Sequence, residues 1–253
     1  MPSDFTLKAY NLLIDALLVH GYTFYRFDDF LQKEPGIAVI LRHDVDARPE
    51  NSLAFAKIQH QSGIKGSYYF NANPSAREAG IIKQIHTLGH ETGYHYETMD
   101  SCNGDYEKAW DEFRYNLDTI RKLVPVTTIS MHGSPRSRFD NRALWDRYDY
   151  RTLGILGEPY FDIDYSKAAY LTDTGRRWNG SSVSVRDKVA SGFVFKFSST
   201  FDIIRGIDSL PDKILFTFHP QRWSDDVFPW INEYLIQNIK NIAKYYIVKH
   251  MNR

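Results

Sequence analysis

Five consecutive apolar residues, Ile37-Ala-Val-Ile-Leu41, suit a strand buried on both faces, and such strands belong to parallel sheets covered by helices. No other stretch constrains the fold as much. The run passes directly into Arg42-His-Asp-Val-Asp46, and Pro49 and the helix-like Asn51-Ser-Leu-Ala-Phe-Ala-Lys-Ile58 follow. Charged groups at the exit of a buried strand are costly in a core and useful in a site. In parallel α/β proteins that exit is where chemistry is placed. A plainer reading, in which Asp44 and Asp46 cap the next helix, stays open.

The rest of the chain repeats the strand–helix alternation. The spacing of Leu7, Tyr10, Leu13, Ile14, Leu17 and Leu18 predicts an amphipathic helix ending near Gly21. Asp15 interrupts its apolar run and no small-residue cleavage site follows, so a signal peptide is not expected. Strands are predicted at 37–42, Ser67–Asn71, Glu91–Tyr96, Val126–Met131 and Lys213–Phe218. Helices are expected at about 50–62, 75–88, 105–123, 140–148, 199–208 and 228–247. The stretch 150–197, with Gly154, Gly157, Pro159, Gly175 and Gly180, reads as hairpins or loops with room for one or two hidden units. Such alternation implies right-handed β-α-β units and a parallel sheet. At 253 residues it suits a closed or nearly closed (β/α) barrel. No linker, repeat or low-complexity segment divides the sequence, so one domain over 1–253 is expected.

Composition narrows the function. The 31 basic and 31 acidic residues cancel, which removes any general attraction to nucleic acid or anionic membrane. No apolar run reaches the ~18 residues of a membrane span. Cys102 is the single cysteine; it excludes an internal disulfide, fits a reducing compartment, and reads as incidental in its polar loop. A soluble cytoplasmic protein is expected, and nothing sets its oligomeric state.

Polar side chains collect at the predicted strand ends: Asp44 and Asp46 on the first, His95 and Glu97 on the third, His132 on the fourth and His219 on the last. In a parallel barrel these ends share one face. Imidazole and carboxylate together suit zinc or a similar divalent cation, and a catalytic site keeps about three protein ligands and one open position. The other histidines read as structural: His20, His60 and His86 lie within or beside helices, His90 in a turn and His250 near the terminus.

Arg42-His-Asp-Val-Asp46, Gly89-His-Glu-Thr-Gly-Tyr-His95 and Phe218-His-Pro220 resemble three motifs of the polysaccharide deacetylase family, the NodB-like carbohydrate esterases. They come in the family's order and span residues from about 37 to 222. The resemblance implies an irregular (β/α) barrel of mostly parallel strands that removes N- or O-acyl groups from sugars with a divalent metal. It places a general base on Asp44, metal ligands on Asp46 and His95, and a general acid on His219. The sequence departs from the family twice. The family's two aspartates are adjacent, whereas Val45 separates them here. Its second metal-binding histidine, four residues after the first, is Met99 here, too soft a ligand for an Asp/His zinc site. His132 is expected to complete the trio. Glu97 is the other option, since side chains two apart on a strand share a face. Met99→His is expected to be tolerated.

Several residues beside the motifs are candidates for substrate binding. Arg42 either orients Asp44 or forms an ordinary strand-end salt bridge. Tyr94, Tyr96, Trp178 and Trp223 could stack on a pyranose ring, although most aromatic residues in any fold are core. Thr172-Asp-Thr-Gly-Arg-Arg-Trp178, with Arg177, reads either as a phosphate- or carboxylate-binding turn or as a solvated hairpin. Ser134, Arg136 and Arg138 invite the same two readings.

The expected activity is metal-dependent removal of an N-acyl group, N-acetyl first, from a small or carrier-linked sugar. The pattern is most similar to deacetylase-like proteins of bacterial surface-polysaccharide and O-antigen pathways. Two alternatives stand beside it: a metal-independent hydrolase of a non-peptide carbon–nitrogen bond using Asp44 and His219, and an inactive glycan-binding barrel.

Overall fold

The computed structural model describes residues 3–33, 35–133, 137–178 and 189–251. Its strands pair in parallel throughout. They are β1 (Phe24–Tyr25), β2 (Ala38–Val45), β3 (Ser67–Phe70), β4 (Glu91–Tyr96), β5 (Ile129–Met131), β6 (Ala168–Thr172) and β7 (Lys213–Phe218). The order is β5-β4-β3-β2-β7-β6, with β1 beside the N-terminal half of β2. Among the described residues β5 and β6 do not pair, so the sheet is a curled half-barrel rather than a closed one. The register sets Arg42 opposite Ser67, His95 opposite Ser130 and His43 opposite Phe218.

Helices connect the strands: α1 (Leu7–Val19), α2 (Phe27–Lys33), α3 (Pro49–Gln61), α4 (Ala76–Thr87), α5 (Thr98–Ser101), α6 (Tyr106–Arg121), α7 (Pro159–Asp162), α8 (Thr200–Arg205) and α9 (Val227–Met251). Local chemistry fixes their ends. Thr6 caps α1 by accepting from the Ala9 amide, and Ser75 and Glu78 form a reciprocal capping box on α4. Gly63 and Gly89, at φ of 70° and 91°, take the left-handed conformation just beyond α3 and α4. Among the described residues no helix is long and apolar enough to cross a membrane.

Alternation along the strands sorts side chains onto two faces. Leu41, Val45, Tyr68, Tyr94, Tyr96, Met131 and Phe218 face one way, into a core completed by α1, α3, α4 and α6. Ile40 and Leu215 face the other way, with Phe27, Ile163 and Ala168. Continuing in steps of two from Ile40 along β2 reaches Arg42, Asp44 and then Asp46. The same count puts His95, His132 and His219 on this second face, beyond the small apolar cluster at its base.

Most expected elements form, with informative differences. β2 runs on to Val45, so Asp44 lies inside the strand. Neither aspartate caps α3: its N-cap is Arg48, in the left-handed region at φ 50° with no side-chain cap bond. The expected strand at 126–131 shrinks to Ile129–Met131, and the expected helix at 140–148 is a 3-10 turn over Asn141–Asp146. β1 and α2 were not anticipated, because two and seven residues are too short to show a period. The irregular region holds α7 and β6, one hidden unit beside β7.

Candidate active site

Three strand ends bring Asp46, His95 and His132 together, with one ligand atom from each lying within 4.8 Å of the other two. His95 Nε2 is 3.4 Å from Asp46 Oδ1, and His132 Nε2 is 3.7 Å from the same oxygen. The far nitrogen of each ring is engaged elsewhere. His95 Nδ1 donates to the Ser130 carbonyl at 3.0 Å, and His132 Nδ1 donates to Glu97 Oε2 at 2.7 Å. Acceptors at Nδ1 leave the Nε2 lone pairs facing inward, the arrangement in which outer groups orient metal-binding imidazoles.

Asp46 Oδ1 is buried and accepts no hydrogen bond, while Oδ2 accepts from Gln221 Nε2 at 3.0 Å. Burial alone would raise the Asp46 carboxyl, but the neighbouring imidazole of His95 and the positive charges that His219, His95 and His132 carry when protonated hold it well below the usual range. For His132 burial acts downward, yet Glu97's hydrogen bond and the Asp46 charge push it up to about 9. Two inward lone pairs and an unpartnered carboxylate oxygen call for positive charge at their centre. A divalent cation supplies it without placing a proton on either ring, and two imidazoles with one carboxylate are a zinc-type donor set. The residues therefore fit such an ion.

Beside this trio, Asp44 Oδ2 lies 3.9 Å from His95 Nε2. Arg42 grips Asp44 through two parallel bonds, Nε to Oδ1 at 2.8 Å and Nη2 to Oδ2 at 2.7 Å. Both side chains are almost wholly buried, and Arg42 Nη2 also reaches the Met131 carbonyl at 3.4 Å. Tyr160 covers the guanidinium, its ring centre 5.0 Å away. Desolvation would lower the Arg42 pKa, but the Asp44 carboxylate more than compensates, so the ion pair holds.

On the other side His219 is fixed by Asp173. Its Nδ1 donates to Asp173 Oδ1 at 2.6 Å and its backbone amide to Oδ2 at 2.9 Å. The same buried carboxylate accepts from Arg222 Nη1 at 2.9 Å and Trp223 Nε1 at 2.7 Å. Burial pushes the Asp173 pKa upward, but the charges of His219 and Arg222 and these hydrogen bonds bring it below the usual value. His219 thus has Nδ1 protonated and Nε2 directed away from Asp173.

The structure redistributes the other candidates. Arg42 is 1% exposed and spent on Asp44, so it has no surface for a substrate. Glu97 holds His132 instead of joining the trio. Tyr96 is fully buried, accepting from Trp145 Nε1 and packing edge-on against Phe113. Tyr94 is buried on the same side and bonded to Asn116. Trp178 donates to Thr200 and packs against Phe216 and Phe218, and Trp223 is spent on Asp173. These four aromatic residues are core and cannot stack on a sugar. In Thr172–Trp178, Asp173 turns inward and Arg176 lies over Phe5, Trp230 and Tyr234, which removes the phosphate-binding turn. Gly175, Arg176 and Arg177 of this turn border a surface cavity of about 320 Å³. Arg136 and Ser134 lie outside the described residues.

Asp173, Gln221 and Arg222 were missed. Asp173 carries the signal used for the others, an acid at a strand end, but its strand β6 was hidden in the irregular region.

The sequence matches no protein-family model and no curated protein. Among solved structures the chain is similar to a family 4 carbohydrate esterase from Bacillus anthracis, at 13% identity over 92% of this chain and 87% of that one, TM-score 0.43. It is also similar to a family 4 carbohydrate esterase from Streptomyces lividans in complex with acetate, at 11% identity over 82% and 88%, TM-score 0.41. A third likeness is to a family pseudoenzyme from Bacillus anthracis, at 12% identity over 81% and 60%, TM-score 0.43.

Proposed function

We propose that this protein is a divalent-metal-dependent hydrolase that removes an N-acyl group, N-acetyl first, from a sugar. The observation that carries the reading is the convergence of Asp46 Oδ1, His95 Nε2 and His132 Nε2 within 4.8 Å, each imidazole fixed by an acceptor at Nδ1. The sequence resemblance to polysaccharide deacetylases supports the substrate class, and zinc is the ion this donor set favours. His132 supplies the imidazole that Met99 does not. A role in surface-polysaccharide or O-antigen assembly follows from the same resemblance, and a cytoplasmic location from the single cysteine and the composition.

When bound, the cation acidifies water and polarises the acyl carbonyl. Asp44, held by Arg42 next to the trio, is placed to take the proton from an attacking water as general base. Arg42 fixes the direction of the carboxylate and leaves each oxygen a second lone pair. His219, its Nδ1–H held by Asp173, acts as the imidazolium: the second proton, on Nε2, passes to the departing amine. Base and acid thus stand on neighbouring strands, β2 and the end of β7.

Metal analysis tests the reading. Purified protein is expected to hold one zinc per chain, and Asp46→Ala, His95→Ala and His132→Ala to lose both metal and deacetylase activity. Asp44→Asn and His219→Gln should keep the metal while kcat falls about 10²–10⁴-fold. An active protein without stoichiometric metal would favour the metal-independent hydrolase, and a metal-loaded protein inert on N-acetylated sugars would favour a glycan-binding role.

A further inference from the structure

Helix α9 is amphipathic the wrong way round. Its inward face carries Glu233, Gln237 and Asn241, spaced by four and each less than 10% exposed. Asn241 donates to the Gly175 carbonyl and Gln237 to Glu233. Its outward face carries Phe228, Ile231, Leu235, Ile239 and Ile242, exposed by 87, 44, 55, 68 and 62%. At 3.6 residues per turn these five fall within roughly 80° of arc and run for about 21 Å. A surface helix ordinarily turns its apolar stripe to the core and its polar residues to water.

We propose that this stripe is a homodimer interface, in which α9 packs antiparallel against α9 of a second copy about a two-fold axis at Leu235. The spacing carries the proposal. Counted from Leu235 the other four of these five lie at minus seven, minus four, plus four and plus seven, so over the described residues this row reads the same in both directions. Rotation about Leu235 sets Ile231 against Ile239 and Phe228 against Ile242, the self-complementarity that a two-fold interface demands. Steps of three and four are those of a helix-pair seam.

Area and charge agree. Val227 and Tyr234, 66 and 49% exposed, flank the stripe. With aromatic side chains offering about 150–250 Å² each and aliphatic ones somewhat less, the seven leave roughly 800 Å² in water per copy. That is more than a monomer ordinarily displays in one patch, and about the share each side gives to a standard interface. Lys240 is the only charged residue among the exposed positions from 228 to 242, so like charges do not oppose self-association. A helix lying on an anionic membrane would carry a basic face, and among the described positions of α9 that are exposed Lys240 is the only base.

Analytical ultracentrifugation of the whole protein at micromolar concentration is expected to show a dimer. Leu235→Glu places two like charges on the axis and should give a monomer with unchanged circular dichroism. Ile239→Glu should raise the dimer dissociation constant at least tenfold, whereas Val19→Glu, at an 84% exposed site on α1, should leave it unchanged. In a Cys102→Ser background, Leu235→Cys should form an intermolecular disulfide under mild oxidation. A monomeric wild type, a dimer indifferent to both charged variants, or a monomer that floats with phosphatidylglycerol vesicles would each overturn the proposal.

Discussion

Asp173 is the residue on which the proposed acid depends. It accepts four hydrogen bonds while wholly buried, and one of them fixes which nitrogen of His219 carries the proton. Asp173→Asn removes the negative charge that holds the imidazolium, so kcat should fall about 10²–10⁴-fold with metal content unchanged. Because both residues act through one imidazole, Asp173→Asn combined with His219→Gln should be no slower than His219→Gln alone. A double variant slower by the product of the single effects would separate them. The residues of the trio and Asp44 were legible in the sequence because charged groups leaving apolar strands stand out. The aromatic neighbours were misread although the sequence held the correction. Tyr94 and Tyr96 flank His95 on one strand, so alternation sends them to the opposite face.

At the scale of elements, β4 sits close against its neighbours at Gly93. A Cβ there would lie 2.5 Å from the Tyr69 ring and 2.8 Å from the Thr128 carbonyl oxygen, backbone that cannot step aside. Gly93→Ala should cost about 1–3 kcal/mol in urea unfolding, and a neutral result would mean that β3 and β5 are less closely set. Met99 presents the opposite case. It is the second residue of the short helix α5, only 2% exposed and packed in the main core instead of beside Asp46, His95 and His132. Met99→His is therefore expected to destabilise by about 2–4 kcal/mol, by lost packing and an imidazole buried without an acceptor, and not to tighten metal. This reverses the tolerance expected from the family pattern. That pattern assumes a helical position facing the site, which the sequence alone could not show to have turned inward. β7 was read to its true ends because Ile214 to Phe218 are apolar or strand-favouring without a break, and β4 because Gly89 stops the helix before it and its aromatic residues alternate. β6 was lost among glycines whose turns punctuate the same stretch.

Across the whole molecule, buried ionisable groups set opposing pH limits. Desolvation lowers the His90 pKa from 6.5 to about 4, so below pH 6.5 the unfolded chain takes up a proton that the fold refuses. Stability falls from there towards pH 4. Burial raises Glu91 and Glu158 from 4.5 to about 7, so the folded state keeps protons that the unfolded chain releases. Their contribution is complete below pH 4.5 and is lost as the pH rises through 7. Burial lowers His43 likewise, to about 3, so between pH 4.5 and 6.5 two buried imidazoles oppose two buried carboxyls, and Tm should run level there and decline on both sides. Glu91→Gln, which can keep bonds to Ser67 and Thr128, should flatten the alkaline decline; a wild-type Tm still climbing between pH 6.5 and 8 would contradict the assignment. The open sheet carries one more consequence, for the time course of folding. Every pairing in it is parallel, so each ligand of the proposed zinc arrives on a strand distant in sequence from the others, and the cluster exists only once β2, β4 and β5 are in register. Pairings of that kind form slowly and late. An ion that recognises only the finished register cannot speed the search for it and can only hold the result. Zinc should thus lengthen the unfolding half-life and leave the refolding rate unchanged, which stopped-flow traces with and without chelator would show.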